Sequence, residues 1–179
     1  MPYGRAMNED LRTVHASGGL LVGHDGSTFA DEALRWALAM ARRLGTSVTV
    51  VRAWVMTTAP RPPSWSRGYV PPMADYAEAV AAQLRVDTEV VRERYADMEV
   101  TCQAVHGAAA HALVSASENV ELLVVRPRGV GGFRGLVLGS VSEQCVRHSA
   151  CPVVVVPASD VSSDGSRSVV LDAGLSDDA

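Results

Sequence analysis

A chain of 179 residues that is 47% apolar has room for one well-packed domain and is short for two. Its formal net charge of −4 equals that of the last stretch, 158–179, where five Asp face one Arg; the body is near neutral, which argues against nucleic acid as a partner. No stretch approaches the ~20 apolar residues of a membrane span and no signal-peptide core is present, so the chain is expected to be cytoplasmic.

Residues 1–17 carry no sustained period and read as a disordered tail, as does the acidic, Ser- and Gly-rich 158–179. The domain is expected over 18–157. Residues 19–23 (GLLVG) read as a short buried strand ending at His24 and Asp25. Gly26-Ser27-Thr28 then turns the chain, and Ser27 or Thr28 can cap a helix with Asp31 and Glu32 in its first turn. Leu34, Leu38 and Ala41 form that helix's buried stripe, and Gly45 ends it. Residues 47–53 are a second, β-branched strand. The segment 55–72 holds five of the nine prolines, which neither a helix nor a central strand tolerates. It reads as a surface excursion tacked down by Trp54, Trp65 and Tyr69. A long helix is predicted over 73–96, a strand over 98–105, an alanine-rich helix over 108–117 and a strand over 120–125. A helix over 140–148 and a strand over 153–156 close the pattern.

Nearly continuous apolar strands alternating with helices imply an open, doubly wound α/β sheet of five parallel strands, Rossmann-like in architecture. Ligands in such sheets sit beyond the carboxyl ends of the strands, where the winding reverses. The first and fourth strands end in the two most distinctive loops, HDGS and RPRGVGGFRG, which should flank that crevice.

The second loop carries Gly129, Gly131, Gly132, Gly135 and Gly139, with Ser140 opening the next helix. Glycines let backbone amides approach a ligand closely, and a helix start adds a positive dipole end, so an anion such as phosphate is favoured. Packing of strand against helix is the competing use of these glycines. Asp25 is either a turn former or a ligand contact. His24, Arg52, His106 and His111 lie near strand ends without the tight spacing of a metal site. Cys102, Cys145 and Cys151 show no CxxC pattern and read as reduced core thiols, with a reactive Cys151 as the alternative. No Walker lysine, GxSxG elbow or HExxH appears, so binding or signalling is expected, with slow hydrolysis of a bound phosphate compound at most.

Three separated motifs, LLVGHDGS, TVVRAW and RGVGGFRGLVLGSVSEQCVRHSACPVVVV, resemble the universal stress protein family over about 18–156. The resemblance implies strand order 3-2-1-4-5, a fold like the adenine nucleotide alpha-hydrolases, and ATP or another adenine nucleotide as ligand, with or without Mg2+. Its ATP-binding branch carries Gly, two residues, Gly, nine residues, then Gly-Ser or Gly-Thr. Here Gly129 matches the second glycine, Val130 to Leu138 the nine-residue spacer, and Gly139-Ser140 the end. Arg126, followed by Pro127, replaces the first glycine. By resemblance Asp25 faces the nucleoside, Ala53 lines the adenine slot, and Arg128 contacts the nucleotide through its backbone. Gly129, Gly139, Ser140, Val141 and Ser142 surround ribose and phosphates. Arg126 either clamps phosphate bidentately or fills the slot, making the chain a dimeric interaction protein without nucleotide. The family order also places the uncharged run 153–156 at a sheet edge, where four amides are expected to be free to pair in a homodimer.

Overall fold

The computed structural model describes residues 10–127 and 138–157. These form strands β1 (Leu20–Gly23), β2 (Val48–Trp54), β3 (Val100–His106), β4 (Leu122–Val125) and β5 (Val153–Val155). Helices α1 (Ala30–Leu44), α2 (Met73–Glu93), α3 (Ala109–Ala116) and α4 (Ser140–His148) alternate with them. The strands build one parallel sheet of order β3-β2-β1-β4-β5, so the doubly wound reading holds.

Side chains alternate across the pleat, and both faces are covered. Leu20 and Val22 of β1 pack with Leu34 and Leu38 of α1 and with Leu84 and Val91 of α2. Leu21, Leu123 and Val125 point the other way, onto Leu113 and Ala116 of α3 and Cys145 of α4. Burying each such leucine contributes about 1.5–3 kcal/mol. The winding therefore reverses between the neighbouring strands β1 and β4, and the two loops singled out in the sequence emerge side by side.

Local chemistry sets the ends of α1. Ser27 Oγ accepts from the Ala30 N–H at 3.2 Å, and Gly45 closes the helix in the left-handed region at φ 67° with its N–H on the Ala41 carbonyl. Nothing lies within 4 Å of where a Gly45 Cβ would stand. Gly45→Ala is therefore expected to cost only the backbone strain, about 1 kcal/mol, read as a lower urea midpoint at unchanged slope.

Two expectations differ in detail. Residues 10–17, placed in a tail by the sequence, instead lie along β3. The His106 N–H donates to the Leu11 carbonyl at 2.7 Å, the His15 N–H donates to Gln103 Oε1 at 2.9 Å, and Leu11 and Val14 join the apolar clusters. The outer edge of β3 offers the His106 N–H and the Gln103 side chain, which the segment meets, and its apolar anchors are too few to show as a period. Of the three aromatic anchors expected for the proline-rich excursion, Trp54 is the buried one: it is 2% exposed, with Tyr76 and His106 against its ring. Trp65 and Tyr69 are 39% and 50% exposed, and Trp65 carries the Arg61 guanidinium at 4.3 Å. Trp54 is still within β2, so the sheet aims it inward; the other two sit beyond the sheet's control.

Candidate functional site

A crevice of about 660 Å³ opens at the carboxyl ends of β1, β2 and β4. Gly23, Val51, Ala53, Leu113, Val125 and Val141 give it an apolar floor, while His24, Asp25, Ser27, Arg126 and Ser142 supply polar groups. The close fit of floor and sheet depends on Gly23, whose Cβ would stand 2.9 Å from Leu113 Cδ1. Ala30 of α1, Ala109 of α3 and Val141 of α4 bring three helix N-terminal turns to the same space. The positive dipole ends of these helices make the mouth favourable for an anion. An apolar slot with a few polar groups around it suits a flat heterocycle bearing polar substituents.

Asp25 lines the crevice and forms a turn, as one of its two sequence readings expected. Its Oδ1 accepts from the Ser27 N–H at 3.1 Å and the Ser27 hydroxyl at 2.6 Å. Gly26, at φ 89°, gives this turn the left-handed step that other residues rarely adopt.

Arg126 leaves the end of β4 and lies against α1. Its guanidinium stands 4.5 Å from the centre of the Phe29 ring and 3.7 Å from Glu32 Oε2, with the side chain 16% exposed. Its Nε is buried without a hydrogen-bond partner among the described residues. The side chain is thus held to one wall, and the crevice retains its volume with Arg126 in place.

Beneath the Asp25 turn runs a buried polar chain. The His24 side chain is fully buried and Nε2 lies 3.1 Å from Asp31 Oδ1. The Gly26 N–H donates to His24 Nδ1 at 3.1 Å, and Arg52 Nη2 lies 3.4 Å from the same nitrogen. Arg52 also pairs with Asp87 Oδ2 of α2 at 2.7 Å. Backbone N–H and guanidinium can only donate, so Nδ1 must be the acceptor and Nε2 carries the proton that Asp31 receives. Burial holds the His24 pKa below its ordinary 6.5, helped by Arg52 and opposed by the hydrogen bond to Asp31 and the charges of Asp31 and Asp25. Neutral imidazole is the resting form.

Of the residues expected at the site, Asp25, Ala53, Arg126, Gly139, Val141 and Ser142 converge on the crevice. Ser140 opens α4 but is exposed beside the wall. The Ser142 hydroxyl donates to the Gly139 carbonyl at 3.0 Å, so its proton is committed within the helix. Arg128 and Gly129 lie outside the described residues. Cys145 and Cys151 suit packing rather than reaction, because burial pushes the Cys145 thiol up to about 11 and raises that of Cys151. The sequence reading missed Phe29 and Glu32 as partners of Arg126, and Asp31, Arg52 and Asp87 as partners of His24. A charged residue inside the apolar strand VTVVRAW was the one available signal.

Residues 19–157 match the model of the universal stress protein family. The chain is 31% identical over 160 residues to a universal stress protein of Mycolicibacterium smegmatis (strain ATCC 700084 / mc(2)155), covering 86% of this chain and 52% of that protein. It is 31% identical over 151 residues to one of Mycobacterium tuberculosis (strain ATCC 25618 / H37Rv), covering 82% of this chain and 50% of that protein. The chain thus spans about half the length of these curated relatives. Among solved structures, a universal stress protein in complex with cAMP is similar at a TM-score of 0.58 and 24% identity, over 81% of this chain and all of that one. The universal stress protein from Archaeoglobus fulgidus in complex with dAMP is similar at a TM-score of 0.53 and 18% identity, over 79% of this chain and 98% of that one. At these identities the solved structures share the fold.

Proposed function

This chain belongs to the universal stress protein family, and we propose on that premise that its crevice binds an adenine nucleotide, with ATP as the first candidate. The observation that carries this reading is the 660 Å³ crevice at the winding reversal, apolar below and ringed by Asp25, Arg126 and helix N-termini. The base fits the apolar floor beside Ala53 and Val51. The Asp25 carboxylate can accept from ribose hydroxyls. The N-terminal turn of α4 and the Arg126 guanidinium favour phosphate. The titanic difference between binding and turnover lies in what else is needed: phosphoryl transfer requires a metal holder and an aligned nucleophile, and Asp25 is already engaged with Ser27. Binding or signalling is therefore the activity proposed.

Calorimetry with ATP, ADP, AMP and cyclic AMP at high-micromolar protein is expected to give heat with at least one of them, and that ligand should raise the melting temperature. No heat and no thermal shift with any of the four would overturn the proposal.

A second reading is favoured by one observation, the outer edge of β5, with which no strand pairs among the described residues. In it the chain is an interaction protein that assembles through β5, and Arg126 excludes nucleotide. Adenine nucleotide released on denaturing the purified protein counts against this reading.

A further inference from the structure

The turn that carries Asp25 takes one of its holds from below, at a ring nitrogen. His24 Nδ1 accepts the Gly26 N–H at 3.1 Å, and the opposite nitrogen is bound to Asp31 at 3.1 Å, so the ring cannot rotate without losing both. Around it stand Asp25 from the turn, Asp31 from α1 with Arg35 Nη2 3.9 Å behind it, Arg52 from β2 and Asp87 from α2. A Cβ on Gly26 would lie 3.0 Å from Arg52 Nη2 and 3.3 Å from Asp87 Oδ2, which places the turn directly on that ion pair.

We propose that His24 is a proton-operated latch: the neutral ring holds the Asp25–Ser27 turn in place at the crevice, and protonation at Nδ1 releases it. A proton taken from solvent onto Nδ1 turns the acceptor of Gly26 into a donor. The new N–H then faces two donors, the Gly26 N–H and the Arg52 guanidinium, the second of them a cation like the imidazolium itself. Asp31 and Asp25 favour the charge, but both act away from Nδ1 or through the turn itself. Relief comes by lifting the turn, which is exposed at Asp25, rather than the ring, which is enclosed. His24 is thus a positioning residue for Asp25. The release of the turn stands on its own; the effect on affinity rests on the nucleotide reading above.

Folding stability should follow the same proton. The folded pKa lies below the unfolded one, so the unfolded chain binds the proton first. The His24 contribution is complete above about pH 6.5 and is lost as pH falls toward the folded pKa.

The test follows the imidazole signals of His24 and the amide signal of Gly26 by NMR between about pH 5 and 8, with cyclic AMP affinity measured across the same range. Cyclic AMP is the probe because its phosphodiester does not titrate there. The expected result is that the Gly26 amide shifts and loses exchange protection with the midpoint of His24. Cyclic AMP affinity should fall by up to about tenfold per pH unit below that midpoint, as expected for one linked proton. His24→Asn supplies a non-titrating acceptor at the place of Nδ1 and should flatten both pH responses, whatever its absolute affinity. A Gly26 amide unmoved while His24 titrates overturns the latch, as does the same pH dependence in His24→Asn. Failure of cyclic AMP to bind at any pH counts against the nucleotide reading alone, because the Gly26 amide still decides the latch.

Discussion

Light scattering of the wild-type chain at tens of micromolar is expected to give the mass of two chains, through β5. The two sheet edges are finished differently. The edge of β3 is covered by residues 11–15 through the His106 and Gln103 contacts. Among the described residues no strand pairs with the outer edge of β5, and the run from Cys151 to Pro157 carries no charge. An apolar strand edge of this kind is a template for another strand, and a two-fold axis lets it pair with its own copy. The expectation of four free amides needs correction. The Val156 N–H donates inward to the Val125 carbonyl at 3.0 Å, so by alternation Val153 and Val155 present the outward N–H groups. Val155→Pro removes one of them without touching the β4 ladder. The loss counts twice in a two-fold assembly, about 1–3 kcal/mol at 0.5–1.5 kcal/mol per hydrogen bond, which weakens the dimer by about 5- to 150-fold. Val154→Lys with Val156→Lys should give monomer or aggregate outright. A wild-type mass of one chain would rule the dimer out, and an undiminished dimer in Val155→Pro would move the interface off this edge.

Arg126→Ala is expected to weaken ATP binding by about tenfold or more, since a hydrogen bond to a charged group contributes about 1.5–3 kcal/mol. The Arg126 guanidinium rests on Phe29 and near Glu32 rather than across the slot. Adenosine, which lacks phosphate, should bind the variant as it binds the wild type. Replacing Arg126 by Gly together with Pro127→Ser restores both the φ freedom and the amide that the Arg-Pro pair removes. Tighter ATP binding in that double variant would identify Arg126 as a plug, whereas unchanged affinity in both variants would leave it serving only Glu32 and Phe29.

Strand and helix positions were legible because they rest on local periodicity and punctuation. Apolar runs such as LLVV and VVVV, the Gly45 stop and the Ser140 start each act within a few residues, and the structure moves most boundaries by only one to three positions. The long helix, predicted to 96 and ending at Glu93, moved for the same reason, since no glycine or proline marks its end. The place of the crevice was legible too, because the HDGS and RPRG loops follow strands whose order the family pattern implies. What the sequence could not reveal were contacts between elements far apart in the chain. Nothing local tells that Arg126 will lie on Phe29, that His24 will meet Arg52, or that residues 11–15 will cover β3. Each depends on a side chain's direction after the sheet has set the neighbours, and on buried polar groups finding partners wherever the fold brings them. The sequence by itself determined the layers and the place of the crevice; the tertiary structure alone decided which charges meet around it, because burial makes pairing obligatory only once the neighbours are in place.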